Sequence, residues 1–185
     1  MPKPLVNPIE LAKEVAYIWE GDEYNNISSP ALEESWTVIA ESFNECIRAN
    51  QRGANPPQRL AIPAQTGTGK TTAMIQYAIQ SNKDIGILIV TAFIDEIDKI
   101  VEHVNKGLNK SELKAAAFHS SSDEHRYNLD NMKKYQVLVI THNQFVGATD
   151  RNQNEVGVDR GRIHKLYDYN GTKRDLVIID DNPGH

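Results

Sequence analysis

The spacing of apolar residues changes along the chain, from a helical repeat before about residue 58 to short apolar runs after it. In the segments 7–21 and 29–51, apolar residues recur every three or four positions, which predicts two amphipathic helices. Pro30 follows Ser29 at the start of the second helix, and Gly53 lies beyond its end. These residues are the ones favoured at helix starts and stops.

Beyond residue 58, short apolar runs alternate with helical patterns, which predicts an α/β domain built on a parallel sheet. The strand candidates are 59–64, 85–92, 113–119, 135–142 and 174–180, and the helical patterns are 70–81, 94–107 and 122–134. We expect a helical extension over 1–57 and an α/β domain over 58–185. An irregular insertion is expected around 149–173, with a hairpin turn at Asn170-Gly171.

Trp19 and Trp36 lie on the apolar stripes of the two N-terminal helices. A tryptophan in such a position is more often part of the core than a platform on which bases stack. His119, His125 and His142 lack the spacing of a zinc site, and the chain offers no cysteine beside them. We therefore expect core roles for the tryptophans and no zinc cluster.

The composition of the chain limits the partners that it is expected to bind and indicates its cellular compartment. The chain has 185 residues, a net charge of -5 and one cysteine, Cys46, and it has no apolar run of membrane-spanning length. We expect a cytoplasmic protein without a membrane segment. Any nucleic acid must bind through a local basic patch, so we expect weak, salt-dependent binding of single strands. Candidate basic residues lie in the insertion: Arg151, Arg160, Arg162 and Lys165.

The stretch AQTGTGKTT, residues 64–72, follows the first predicted strand and opens a helix. It matches the phosphate-binding loop G-x-x-x-x-G-K-[ST], with an alanine at the first glycine position. Glycines let successive N–H groups turn toward a phosphate, whereas the alternative is merely a flexible turn. The predicted nucleotide-binding residues are Ala64, Gln65, Thr66, Gly67, Thr68, Gly69, Lys70, Thr71 and Thr72. Among these, Lys70 is expected to reach the β- and γ-phosphates and Thr71 to ligate magnesium.

A strand near the end of the sequence carries a carboxylate that supports this hypothesis. Four apolar residues bring Asp180 to the carboxyl end of a buried strand, which is the edge where ligands bind in open α/β sheets. Asp180 is predicted to hold Mg²⁺ opposite Thr71, and Asp181 to face the attacking water. The alternative is a solvated turn or a helix cap. The predicted catalytic residues are thus Lys70, Asp180 and Asp181.

The order of these motifs resembles the first RecA-like domain of superfamily 2 (DEAD/DEAH-like) helicases. AQTGTGKT, ILIVTAFIDEIDKIVEHV, VLVITHNQFV and LVIIDD are similar to motifs I, Ia, Ib and II of that family. The resemblance covers about residues 59–182 and implies a P-loop NTPase that uses ATP with Mg²⁺. It also implies contacts to the nucleic-acid backbone at Thr91, Ala92, Thr141 and His142, where helix capping by threonine is the alternative.

The sequence departs from the family pattern at three places. Asp181 stands where the family generally has glutamate, and no glutamine upstream of the loop suits the adenine-reading role. The sequence ends at His185, shortly after motif II, so we expect this fragment to be the N-terminal part of a longer ATPase and to lack the second RecA-like domain with its arginine finger. This fragment alone is expected to be inactive or very slow.

Two other functions remain open at this point. The same loop and carboxylates are expected in a viral DNA-packaging, terminase-like ATPase. A nucleotide-binding interaction module without turnover would also carry them. The sequence favours an ATP-binding part of a nucleic-acid-dependent ATPase that moves on or unwinds a nucleic acid.

Overall fold

The computed structural model describes residues 3–54, 60–63, 65, 67–119, 129–149 and 162–180. The chain divides into two compact units, Met1–Asp84 and Ile85–His185. Over the residues described, no helix is both long and apolar enough to cross a membrane. The predicted boundary between residues 57 and 58 stays a prediction, since it falls within 55–59, outside these ranges.

Within the ranges just given, the first unit has three helices, α1 (Pro8–Glu20), α2 (Pro30–Gln51) and α3 (Lys70–Gln80). Asn7 caps α1 by accepting hydrogen bonds from the N–H groups of Ile9 and Glu10. Ser29 caps α2, with Pro30 in its first turn, so the predicted start of that helix is confirmed. Apolar side chains from all three helices form the core of this unit, including Leu11, Val15, Trp36, Phe43, Ile47, Met74 and Tyr77.

The described part of the second unit contains six strands and four α-helices. In chain order these are β1 (Ile87–Thr91), α4 (Ile94–Asn105), β2 (Ala115–Phe118), α5 (Leu129–Met132), β3 (Val137–Thr141), α6 (His142–Thr149), α7 (Arg162–Tyr167), β4 (Asp168–Tyr169), β5 (Thr172–Lys173) and β6 (Leu176–Ile179), with a short 3-10 helix at Lys110–Glu112. Four strands form a parallel sheet in the order β2-β3-β1-β6, and β4 and β5 form a hairpin. The predicted α/β class is confirmed.

The register of the sheet aligns apolar residues across neighbouring strands. Leu88 of β1 lies opposite Leu138 of β3 and Val177 of β6, and all five residues of β1 are buried. Burial of every position explains why β1 is apolar from Ile87 to Val90, because both faces of a central parallel strand are covered. One cluster of the core joins the sheet to α5 and α7: Leu88, Val90, Ala116, Phe118, Met132, Leu138, Ile140 and Leu166.

The structure confirms the strands predicted at 85–92, 113–119, 135–142 and 174–180, each with shorter bounds. The predicted turn at Asn170-Gly171 is also confirmed, because both residues have positive φ, 49° and 83°, and connect β4 to β5. Those are the dihedral signs of a tight hairpin turn.

Three expectations are corrected. The strand predicted at 59–64 is wrong over residues 60–63, which form no ladder. Pro63 has no N–H to donate, and the side chain of Leu60 is 40% exposed. The insertion around 149–173 contains α7 in addition to the predicted hairpin, and its residues 150–161 lie outside the described ranges. The helix predicted at 122–134 ends at Met132, and its residues 122–128 lie outside the described ranges.

Candidate nucleotide-binding site

The phosphate loop is described from Gly67 to the start of α3, together with Gln65. Gly67 and Gly69 have φ of +77° and +74°, which favour glycine over other residues. The α-helix begins at Lys70, and Ala73 N–H donates to the Gly69 carbonyl oxygen at 2.9 Å. Two predicted loop residues, Ala64 and Thr66, lie outside the described ranges.

Two hydrogen bonds fix the loop before the helix. The Thr68 hydroxyl donates to the carbonyl oxygen of Gln65 at 2.7 Å, which closes a local turn. The indole Nε1 of Trp36 donates to the carbonyl oxygen of Thr68, also at 2.7 Å. The loop is therefore tied both to itself and to α2.

The donor set of this loop suits a phosphate. A Cβ placed on Gly67 would meet nothing within 4 Å, so this part of the loop lies open. Gly69 is the N-cap of α3 and provides no side-chain cap to the first N–H groups of the helix. Lys70 and Thr71 occupy the first two positions of α3 and are half-buried, and Thr72 is buried. Helix N–H groups, a lysine and a hydroxyl are groups that bind nucleotide phosphates and their magnesium.

Aromatic rings pack directly under the loop. A Cβ on Gly69 would lie 3.1 Å from Nε1 of Trp36 and 3.3 Å from Cε3 of Trp19. The two tryptophans meet edge to face, with ring centroids 6.0 Å apart, and Tyr24 stacks on Trp19 at 5.9 Å. Gly69 is thus required twice, for its positive φ and for lack of space. The core role predicted for Trp36 is confirmed, since its side chain is 0% exposed.

Asp180 lies immediately after β6 in the second unit, whereas Thr71 belongs to the first. The N–H of Asp180 donates to the carbonyl oxygen of Val90 at 2.8 Å, which extends the pairing with β1 by one residue. Its side chain is half-buried. Asp180 therefore stands at the carboxyl end of the sheet, as predicted, while Asp181 lies outside the described ranges.

The residues predicted to contact nucleic acid lie at the same end of the sheet. Thr91 and Thr141 are register partners at the ends of β1 and β3. Thr91 is 0% exposed, and its hydroxyl donates to the carboxylate of Glu96 on α4. The hydroxyl of Thr141 accepts from Gln144 N–H at 3.2 Å, so it caps α6. Ala92 and His142 are half-buried.

Two of the three histidines considered as zinc ligands, His119 and His142, lie within the described residues. His119, directly after β2, is buried and lies 3.2 Å from a carboxylate oxygen of Asp98 on α4. His125 lies outside the described ranges. Within those ranges, no group of three or more His, Cys, Asp or Glu side chains is placed to hold a metal ion.

The hydrogen bond from Trp36 to the phosphate loop was not predicted from the sequence. Trp36 and Thr68 are 32 positions apart in the chain, so no local sequence pattern predicts the hydrogen bond between them. A weaker signal was present, because a buried indole N–H needs an acceptor and a phosphate loop exposes carbonyl groups as it turns.

A parallel sheet with polar residues at its carboxyl end, and a glycine loop opening a helix, define a helicase-family ATP-binding domain of the RecA-like α/β fold. The family model for DEAD/DEAH box helicases matches residues 40–180, and the chain belongs to that family. No curated protein matches the chain. The matched region begins within α2, so Trp19 and Trp36 precede it.

Proposed function

We propose that this chain is the ATP-binding part of a nucleic-acid-dependent ATPase of the helicase kind. Hydrolysis of ATP would drive movement along, or unwinding of, a nucleic acid. The observation that carries the proposal is the phosphate loop at the start of α3, with glycines of positive φ at 67 and 69, in a chain of the DEAD/DEAH box helicase family.

Each part of the site has a proposed role in this reaction. The N–H groups at the start of α3 and the ammonium of Lys70 bind the β- and γ-phosphates. Thr71 and Asp180 are the residues that would hold Mg²⁺, which neutralises phosphate charge when bound. Asp181 would orient the attacking water. Its side chain is one methylene shorter than glutamate, a difference of about 1.5 Å, and misplacement on that scale costs on the order of 10² in rate.

The carboxyl ends of β1 and β3 are the proposed contact with the nucleic-acid backbone, through Thr91, Ala92, Thr141 and His142. Backbone N–H groups and hydroxyls at such positions bind phosphates without reading bases. A second RecA-like domain is the proposed partner that completes the ATP site. With a net charge of -5, this chain alone should bind single strands weakly and in a salt-dependent way. Sub-micromolar binding that ignores added salt would contradict this.

Nucleotide binding is tested by calorimetric titration of the chain with Mg-ATP. We expect Lys70→Ala to weaken binding about 100-fold, because it removes a charge-assisted bond of about 2–3 kcal/mol. Lys83→Ala is the control, since Lys83 is an exposed lysine beyond the end of α3. Equal affinity of the wild type and Lys70→Ala would place the nucleotide elsewhere and overturn the proposed site.

Turnover is tested by phosphate release with single-stranded DNA and RNA, with the second RecA-like domain supplied. We expect slow, nucleic-acid-stimulated hydrolysis, faster in Asp181→Glu and lost in Asp180→Ala. Tight ATP binding without turnover in the wild type and in Asp181→Glu would contradict a motor. That result would favour a nucleotide-holding interaction module.

A further inference from the structure

The N-terminal helices contact the phosphate loop through one directional bond. Trp36 of α2 is fully buried, and its indole N–H donates to the Thr68 carbonyl oxygen at 2.7 Å. An indole has a single donor and no acceptor, so this bond also satisfies the only polar group of the side chain. The length and the burial make it a well-formed bond in a poorly solvated place.

This bond sets the direction of the next amide group. In a planar trans peptide, the C=O and the N–H point to opposite sides. Holding the Thr68 carbonyl oxygen toward Trp36 therefore turns the N–H of Gly69 away from α2. The rings of Trp36 and Trp19 lie close to Gly69, at 3.1 and 3.3 Å from the position of a Cβ, which limits rotation of this peptide further.

We propose that Trp36 is a positioning residue for the nucleotide: its indole N–H holds the Thr68–Gly69 peptide so that the Gly69 amide is preorganised as a phosphate donor. The proposal rests on the proposed binding of nucleotide phosphates at this loop. It gives Trp36, which precedes the family match that begins at residue 40, a role in binding as well as in packing. A donor that is already oriented costs less ordering entropy when the phosphate arrives.

The same three-helix unit offers a matched bond that does not touch the loop. The Tyr77 hydroxyl of α3 donates to Oδ1 of Asn44 on α2 at 2.7 Å, and Nδ2 of Asn44 donates to the Val6 carbonyl oxygen at 2.9 Å. Tyr77 also packs edge to face on Phe43, with centroids 5.0 Å apart. Tyr77→Phe removes one buried bond between α2 and α3 and keeps the aromatic ring.

The test compares Trp36→Phe with Tyr77→Phe in the full chain. Binding of Mg-ADP is measured by calorimetry, and Tm by thermal unfolding. We expect both variants to lower Tm, whereas only Trp36→Phe weakens Mg-ADP binding. The loss should be about five-fold, which corresponds to one net hydrogen bond of about 1 kcal/mol. Tyr77→Phe should bind within two-fold of the wild type.

A second substitution covers the possibility that Trp36→Phe does not fold. Benzothienylalanine placed at position 36 keeps the shape of the double ring and replaces the N–H with sulfur. It should weaken Mg-ADP binding by the same factor as Trp36→Phe.

Unchanged affinity in the position-36 variants would overturn the positioning role. Equal loss of affinity in Trp36→Phe and Tyr77→Phe would also overturn it, because the effect would then follow stability alone. Lys70→Ala separates this proposal from the proposed function. If the wild type binds and Lys70→Ala does not, the binding site stands whatever Trp36 does. If the wild type fails to bind Mg-ADP, both proposals fail.

Discussion

At the amino end of the four-stranded sheet, the guanidinium of Arg174 is buried and bonded to backbone carbonyl groups, whereas at the carboxyl end the side chains of Thr141 and Asp180 stay half exposed. Arg174, just before β6, is 4% exposed, and burial lowers the pKa of its guanidinium to about 10. It donates to the carbonyl oxygens of five residues, at 2.8 to 3.2 Å: Ile87, Met132, Tyr135, Gln136 and Leu166.

The carboxyl end is built differently. Thr141 and Asp180 stand at the ends of β3 and β6 with their side chains half-buried, and the Thr141 hydroxyl makes a single bond that caps α6. Side chains placed in this way keep oxygen atoms within reach of a ligand. Arg174 therefore mainly stabilises the second unit, whereas Thr141 and Asp180 leave side-chain oxygen atoms partly accessible at the other end of the sheet.

The largest effect is expected from Arg174→Ala, which removes the buried side-chain donor that five carbonyl oxygens share. Charge-assisted bonds contribute about 1.5–3 kcal/mol each, so we expect a loss of at least about 4 kcal/mol, or failure to fold. Arg174→Lys keeps the charge with fewer donors, so its free energy of unfolding should lie between those of the wild type and Arg174→Ala. Urea unfolding measures the change.

Arg52→Ala is the control for Arg174→Ala, because Arg52 is exposed at the end of α2. Its effect should stay within about 0.5 kcal/mol. If Arg174→Ala were as stable as Arg52→Ala, the stabilising role of Arg174 at the amino end of the sheet would be contradicted.

The features that sequence predicted are the ones with local signals. The start of α2 could be predicted because Ser29 and Pro30 act on the turn that they begin. The hairpin could be predicted because Asn170 and Gly171 both accept positive φ. The phosphate loop was found in the same way, from glycines and a lysine close together in the chain.

The features that sequence missed depend on distant residues. Arg174 bonds carbonyl groups as far away as Ile87, and Gly86 lies so close to Tyr169 that a Cβ would approach that side chain to 2.9 Å. Both contacts join residues from different parts of the chain, so no sequence pattern within a single helix or strand predicts them. Over residues 60–63, the strand predicted at 59–64 does not form for a related reason, because an apolar run becomes a strand only where its backbone finds a ladder partner.

A smaller effect is expected from Thr141→Val at the carboxyl end. The variant loses the hydroxyl that accepts from Gln144 N–H, and losing a helix cap costs about 1 kcal/mol. Thr141 is also a proposed contact with the nucleic-acid backbone. Single strands should therefore stimulate phosphate release less in Thr141→Val than in the wild type. Thr141→Ser keeps the hydroxyl and should preserve both properties. Loss of stability with full stimulation would restrict Thr141 to capping.

The smallest effect, and one of opposite sign, is expected from Lys114→Met at the amino end. Lys114 precedes β2, its N–H donates to Oδ1 of Asn105 at 2.9 Å, and burial lowers the pKa of its ammonium to about 8. A lysine with a lowered pKa destabilises the folded state while it is charged. Because the side chain is only half-buried, solvent screening reduces that cost to about 0.5 kcal/mol, or about 1–2 °C in Tm.

The sign of the pH dependence follows from the two pKa values of Lys114. Below pH 8 the group is charged in both the folded and the unfolded chain, so the full cost is present and Lys114→Met gains the most. Between pH 8 and about 10.5 the folded chain releases the proton first, and the advantage of the variant shrinks to nothing. Thermal unfolding at pH 7, 8.5 and 10 measures this trend, with the exposed Lys99→Met as control. An advantage of Lys114→Met that is constant across this range would show that the gain comes from packing of the methionine. The amino end would then owe its stability to Arg174 and apolar contacts, with no electrostatic cost from Lys114.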